Sequence, residues 1–227
     1  MNEASPPLRA LRPKDAATLI IYRHHQGTLQ VLMGERHGGH AFMPNRYVFP
    51  GGRIDRADFR VRVARSLQPQ VAARLCRAAG PARAQALALA AVRETFEETG
   101  LVIGGRDPEP GRPVPAAWRE FFATGAAPAL DRMEYIIRAV TPPGRPRRFN
   151  ARFFIIDAAA TQGSLKSNGE LLRLEWVPRE EALGLTLARI TEIVLERLPE
   201  LIAQPQHAER PVPLFHARRG RQVMEEE

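Results

Sequence analysis

The segment RETFEETGL at residues 93–101 constrains the chain more than any other feature. On a helix that advances about 100° per residue, Glu94, Glu97 and Glu98 share one face because their spacing is i, i+3, i+4. The opposite face carries residues suited to packing, which are Val92, Thr95, Phe96 and Thr99. The glycine after this run favours a left-handed helix end. The sequence therefore predicts a helix over residues 82–99 with an acidic side and a packing side.

Three carboxylates on one helix face repel each other unless something neutralises them. A hard divalent cation with oxygen ligands would turn that repulsion into binding, and Mg²⁺ or Mn²⁺ fits such a donor set. The absence of a Cys/His cluster argues against structural zinc. The alternative interpretation is an ordinary acidic face in contact with solvent.

The overall charge favours an anionic partner. The 227 residues carry a formal net charge of +8, and arginine is the better bidentate ligand for phosphate. The basic residues are scattered, and three Tyr and two Trp give little material for stacking bases. We therefore expect a phosphorylated small molecule as substrate rather than nucleic acid. Since Cys76 is the single cysteine, no disulfide can form within the chain.

Apolar runs and turn residues predict one domain of mixed strands and helices. Residues 1–14 are interpreted as a loose leader, residues 15–203 as a single domain, and residues 204–227 as a loosely held polar tail. Strands are predicted at 16–22, 29–34, 47–49, 133–141, 148–157 and 171–177, a loop at 104–116, and an amphipathic helix at 187–201. The sequence has no secretory signal and no apolar run of membrane-spanning length, so a cytoplasmic location is expected.

The acidic helix and an upstream glycine pair together resemble the Nudix box, G-x5-E-x7-R-E-U-x-E-E-x-G-U, where U is a bulky aliphatic residue. The run from Arg93 to Leu101 matches the second half, with Thr95 as a mild departure, and Phe49-Pro50-Gly51-Gly52 matches the approach to the first half. Asp58 stands where the family has Glu, and Asp55 is a competing assignment. The gap from Asp58 to Arg93 is 34 residues instead of seven, which predicts a helical insertion over residues 59–85.

The resemblance implies a Nudix-type α/β/α sandwich around a mixed sheet, and a metal-dependent hydrolase that cleaves a diphosphate linkage. It implies metal ligation by Glu94, Glu97, Glu98 and the Gly52 carbonyl, with Mg²⁺ or Mn²⁺ as the ion. Catalytic candidates are Glu97, Glu98 and Glu170, with the general base open between Glu98 and Glu170. Structural roles in the motif fall to Gly51, Arg93, Gly100 and Asp58, with Arg93 expected to orient Glu97. Phosphate contacts are expected from Arg36, Arg46 or Arg53.

The inserted segment and the FPGG approach are similar to the Nudix branch that contains coenzyme A diphosphatases. Arg36 fits the first arginine of that branch's motif, whereas Ala41 stands where a second arginine is expected and Asn45 where a glycine is expected. Coenzyme A or an acyl-CoA is therefore one substrate hypothesis, and nucleoside diphosphate derivatives or other small diphosphates are the alternative. The insertion is expected at the rim of the active site or in a homodimer interface. An inactive ligand-binding module and, on the high pI alone, an RNA pyrophosphohydrolase are the competing functions.

Overall fold

The computed structural model describes residues 11–36, 45–204 and 209–227. The chain opens with a hairpin of β1 (Lys14–His25) and β2 (Thr28–Arg36), followed by the short strands β3 (Tyr47–Val48) and β4 (Gly51–Arg53). The helices α1 (Pro69–Cys76) and α2 (Pro81–Thr99) come next, and then β5 (Gly104–Arg106), α3 (Arg119–Ala123) and β6 (Ala126–Pro128). The remaining elements are β7 (Glu134–Val140), β8 (Phe149–Asp157), β9 (Leu171–Pro178), α4 (Arg179–Ala182), α5 (Arg189–Ala203), β10 (Pro213–Arg218) and β11 (Arg221–Glu226).

A mixed sheet runs in the order β11-β10-β7-β8-β1-β2-β3, with β4 also paired to β1 and β9 to β2. Strand β1 is its centre, because it pairs antiparallel with β2 and β4 and parallel with β8. The pairing with β4 sets Ala17 opposite Gly52 and Thr18 opposite Gly51. The glycine pair is thereby fixed to the middle of the sheet.

Both faces of this sheet are covered, as alternation along β1 requires. Leu19 and Ile21 pack into the cluster that contains the apolar side of α2, while Ile20 packs into the cluster that contains α5. The predicted α/β/α sandwich around a mixed sheet is therefore confirmed. Among the described residues, no helix is long and apolar enough to cross a membrane.

The prediction of a loosely held tail over residues 204–227 is wrong for its described part. Strands β10 and β11 form a hairpin, and β10 extends the sheet by parallel pairing of Leu214 and Phe215 with β7. Val212 is fully buried, and its backbone exchanges hydrogen bonds with Glu227. The segment is rich in charged residues and lacks the clear alternation of apolar and polar residues by which strands are recognised in a sequence.

The region between the halves of the box is less helical than predicted. Residues 56–60 form a 3-10 turn and α1 is a helix, but residues 61–68 form neither helix nor named strand. Arg74 of α1 donates to the carbonyl of Tyr135 at 2.5 Å, and Arg77, the residue after α1, donates to that of Glu227 at 2.8 Å. The segment predicted as a loop at 104–116 also contains β5, which pairs with β6.

Candidate active site

Helix α2 carries the acidic cluster on its last two turns. Its packing side is buried as the wheel predicted, since Val92, Thr95 and Thr99 are fully buried. Gly100 ends the helix at φ +73°, and its N–H donates to the carbonyl of Phe96 at 2.8 Å, so the predicted left-handed end is confirmed. The residues on the acidic side differ in their exposure to solvent: the side chain of Glu97 is 39% exposed, whereas Glu98 is 1% exposed.

The glycine pair brings the sheet against these carboxylates. The N–H of Gly51 donates to Glu98 Oε2 at 2.9 Å. A Cβ at position 52 would lie 2.3 Å from the carboxyl carbon of Glu94. A Cβ at position 51 would lie 2.5 Å from the carbonyl oxygen of Ala17. Position 51 therefore requires glycine because backbone atoms occupy the space of a side chain, whereas at position 52 that space is filled by the carboxyl end of Glu94.

A buried guanidinium joins the two halves of the box. Arg93 donates through Nε and Nη2 to the two oxygens of Asp58, at 3.0 and 3.2 Å. Its Nη1 donates to Glu94 Oε1 at 2.9 Å and to Glu97 Oε2 at 3.1 Å. Nη2 also donates to the carbonyl of Arg53 at 2.9 Å. Since a guanidinium has five N–H groups, every donor of Arg93 has a partner.

These contacts separate Asp58 from its competitor. Asp58 is 1% exposed and meets Arg93, although 34 residues lie between them in the sequence. Asp55 is exposed and accepts from the N–H of Ala57 at 2.7 Å, as the N-cap of the 3-10 turn. Of the two carboxylates, Asp58 is thus the one that is buried against Arg93.

Burial and mutual repulsion disfavour ionisation of the cluster. Burial raises the pKa of Glu98 to about 8, the Gly51 hydrogen bond opposes that rise, and the charges of Glu94 and Glu170 add to it. Burial also raises the pKa of Glu94 and of Glu97, against the attraction of Arg93. A carboxylate that is costly to ionise in isolation is a group that a cation would stabilise.

Two further predicted residues come close to this cluster. The charge of Glu170, in the loop before β9, raises the pKa of Glu94, Glu97 and Glu98. The charge of Arg36, at the end of β2, lowers the pKa of Glu98. The Nε atom of Arg36 is buried and has no hydrogen-bond partner among residues 11–36, 45–204 and 209–227. An unpartnered guanidinium nitrogen beside an acidic cluster is suited to an anionic oxygen from a ligand.

The other two predicted arginines contribute differently. The guanidinium of Arg46 donates to the carbonyl of Leu187, which ties the start of β3 to the segment before α5. Arg53 presents an exposed side chain, and it is the Arg53 backbone carbonyl that meets Arg93. Of the three arginines proposed for phosphate, the structure brings the Arg36 side chain to the cluster.

Trp118 was not predicted from the sequence as a site residue, but it contacts the site through Asp58. Its indole N–H donates to Asp58 Oδ1 at 3.0 Å, and the side chain is fully buried. It lies 60 positions after Asp58 and follows a Gly/Pro-rich stretch. No local pattern connects such a residue with the box, so only the fold could reveal the contact.

The donor set suits a hard divalent ion, because it consists of carboxylate oxygens and a glycine carbonyl and contains no sulfur. Among the described residues, no three acidic, histidine or cysteine side chains already surround one point as metal ligands. Arg93 holds one oxygen each of Glu94 and Glu97. A bound ion would therefore use carboxylate oxygens that stand on one helix face but are not yet converged.

Comparison with solved structures identifies proteins of the same fold. A Nudix hydrolase from Alicyclobacillus acidocaldarius is 28% identical, covers 87% of this chain and 94% of its own, and superposes with a TM-score of 0.67. A C. elegans Ap4A hydrolase is 14% identical, over 84% of this chain and 98% of its own, at a TM-score of 0.45. The Nudix domain of Shewanella oneidensis NrtR in complex with ADP ribose is 15% identical. The match covers 89% of this chain and 100% of that domain, with a TM-score of 0.45.

No protein-family model matches the chain, and a search of curated proteins gives no match. The similarity to the Alicyclobacillus protein extends over nearly the whole of both chains. This chain therefore has the Nudix fold. The similarity supports assignment to the Nudix superfamily and an enzymatic activity on acid anhydride bonds.

Proposed function

We propose that this chain is a metal-dependent Nudix hydrolase that cleaves a diphosphate linkage in a phosphorylated metabolite. The observation that carries the proposal is the meeting of Glu94, Glu97 and Glu98 with the Gly51-Gly52 pair. Asp58 and Arg93 complete this arrangement across a long separation in sequence. An acidic helix face without these partners would be an ordinary surface. Packed against two glycines whose side-chain space is already occupied, it supports a built site.

The residues that would hold Mg²⁺ or Mn²⁺ are Glu94, Glu97, Glu98 and the carbonyl of Gly52. A bound divalent ion would neutralise phosphate oxygens and make a coordinated water more acidic. Arg93 fixes the orientation of Glu94 and Glu97 through Nη1. Its donors are all in use within the protein, so it supports the site without contacting substrate.

For proton abstraction from the attacking water, Glu170 is the better candidate of the two. Glu98 is buried and already accepts the Gly51 N–H, whereas Glu170 is exposed at the mouth of the cluster. A general base must reach the water and still exchange its proton with solvent. Glu170 meets that need while its charge acts on all three helix carboxylates.

Arg36 is proposed to bind a phosphate of the substrate, because its buried Nε has no partner in the part of the chain that the structure describes. Its position is the one that resembles the coenzyme A branch, which favours coenzyme A or an acyl-CoA. Ala41, at the second position of that motif, lies outside the described residues. Nucleoside diphosphate derivatives, including ADP-ribose and dinucleotides, are the alternative substrates, and a homodimer is a further prediction from the sequence.

The test is turnover of a substrate panel with Mg²⁺ or Mn²⁺: coenzyme A, acetyl-CoA, ADP-ribose, a dinucleoside polyphosphate and a nucleoside triphosphate. We expect cleavage of at least one, and loss of it in Glu97→Gln and Glu98→Gln with the fold retained. Release of phosphopantetheine and a phosphoadenosine product would support the coenzyme A assignment, whereas cleavage only of the nucleotides would support the alternative. If no diphosphate turns over at any metal concentration, the enzyme proposal fails and a ligand-binding module takes its place.

A further inference from the structure

The carboxylate of Asp58 is held from two sides, and one of them lies outside the box. Oδ1 accepts from Arg93 Nε and from Trp118 Nε1, both at 3.0 Å. Oδ2 accepts from Arg93 Nη2 at 3.2 Å and from the backbone N–H of Asp55 at 2.8 Å. In the buried interior each of these donors restricts the carboxylate plane.

The orientation of Asp58 determines the orientation of the helix carboxylates Glu94 and Glu97 through Arg93. Because all five N–H groups of Arg93 are engaged, a rotation of the guanidinium at its Asp58 end must also disturb its Glu94 and Glu97 contacts. The planar shape of the guanidinium makes this coupling rigid. A donor that fixes the orientation of Asp58 therefore also fixes, through Arg93, the orientation of the helix carboxylates.

Trp118 is itself firmly placed. It is fully buried, and its ring meets Phe121 edge-on at 5.3 Å between centroids and Phe122 at 6.4 Å. Phe121 in turn meets Phe96 of α2 at 5.3 Å. The indole N–H is thus aimed at Asp58 by packing that does not depend on the hydrogen bond.

We propose that Trp118 is a positioning residue that sets the metal affinity of the site through Asp58 and Arg93. The inference rests on the proposed function only for the identity of the metal-binding carboxylates. Partners behind metal ligands commonly change metal affinity by about 10- to 100-fold when removed. Since Trp118 acts through two intermediate residues, we expect an increase of about 3- to 10-fold in the dissociation constant for Mn²⁺ when its N–H is lost.

The test compares Trp118→Phe, which keeps an aromatic ring and removes the N–H, with Phe122→Leu. The control removes a ring that packs against Trp118 but leaves the indole N–H and its acceptor Asp58 in place. Mn²⁺ binding is measured on the substrate-free protein by the electron paramagnetic resonance of free Mn²⁺, and thermal denaturation reports folding. Weaker Mn²⁺ binding in Trp118→Phe, with near wild-type binding in Phe122→Leu, supports the proposal. Equal Mn²⁺ affinity in all three proteins overturns it.

If Trp118→Phe does not fold, benzothienylalanine introduced at position 118 supplies an indole-shaped ring without the N–H. The same shift in Mn²⁺ binding is then expected, and an unchanged dissociation constant overturns the proposal. In an active enzyme, the loss must appear in the metal concentration for half-maximal rate while kcat at saturating metal changes little. Mn²⁺ binding is measured without turnover. The effect of Trp118 on metal affinity can therefore be determined even if the protein cleaves no diphosphate.

Discussion

Gly52 and Glu94 are in such close contact that a Cβ on Gly52 would lie 2.4 and 2.5 Å from the two carboxylate oxygens of Glu94. The obstruction is the far end of a flexible side chain, so it can move at small cost to folding. A methyl group at position 52 would therefore displace a proposed metal ligand more than it would disturb the fold.

Gly52→Ala should accordingly lose most diphosphate hydrolysis and bind Mn²⁺ more weakly, with stability lowered by only about 1 kcal/mol. Gly80→Ala is the matched control, because Gly80 has φ −68° and a Cβ there would meet nothing within 4 Å. Activity assays and thermal denaturation of both variants provide the measurement. Wild-type activity in Gly52→Ala would contradict the assignment of Glu94.

Asp58→Ala should destabilise the protein far more than Asp55→Ala. Removing Asp58 leaves the buried Arg93 without its main partner, and breaking a buried pair costs about 3–5 kcal/mol. Removing Asp55 costs the cap of a 3-10 turn, about 1 kcal/mol. Urea denaturation of the two variants measures the difference, and similar midpoints would argue against Asp58 as the buried partner that orders the box.

Proton release on metal binding is expected from the burial of Glu98. Since its pKa is about 8 in the metal-free protein, a bound cation must displace a proton at neutral pH, and metal affinity should increase as pH rises towards 8. Calorimetric titration with Mg²⁺ in buffers of different ionisation enthalpy measures the proton count. Glu98→Gln should abolish that release, and a wild-type count of zero at pH 7 would contradict the expectation.

The same carboxyl should make the metal-free fold less stable at high pH. Its folded pKa lies above the unfolded value of 4.5, so the folded state binds more protons between these values and stability falls as pH rises from about 4.5 to 8. Metal-free Glu98→Gln should therefore gain stability relative to wild type at pH 9 and show no such gain at pH 4. Denaturant titrations at the two pH values test this, and an equal difference at both would exclude Glu98 as its source.

Glu170→Gln should lower kcat by about 100-fold or more, because general-base catalysis contributes on that scale. Mn²⁺ binding should change less than kcat, since Glu170 is exposed and acts on the helix carboxylates only through its charge. Glu175→Gln, which alters an exposed glutamate on β9, serves as control. A kcat that survives in Glu170→Gln would assign the base to Glu98 instead.

The helix and its acidic face could be predicted because they depend on local spacing in residues 93–101. The glycine C-cap and the buried side of α2 follow from the same short-range rules. The choice between Asp55 and Asp58 could not be made, since it depends on which carboxylate the fold buries against Arg93. Arg46 had the same local appearance as Arg36, and only the distant carbonyl of Leu187 distinguishes the two.

The C-terminal hairpin was missed for a related reason. Its strands are rich in charged residues, and they join the sheet through a parallel contact of Leu214 and Phe215 with β7, a strand much earlier in the chain. Trp118 is a further case, with its role set by a hydrogen bond to Asp58 across the fold. The periodicity of apolar residues cannot predict contacts between residues that lie far apart in the sequence.

The ion pair of Asp58 and Arg93 closes a loop of 34 residues. By the logarithmic scaling of loop closure, bringing these ends together costs about 1.4 kcal/mol more chain entropy than across seven residues. Arg74 of α1 and Arg77, the residue that follows α1, offset this loss by anchoring the intervening chain to Tyr135 and Glu227. Loosening α1 should therefore lower the fraction of molecules in which the two halves of the site are joined.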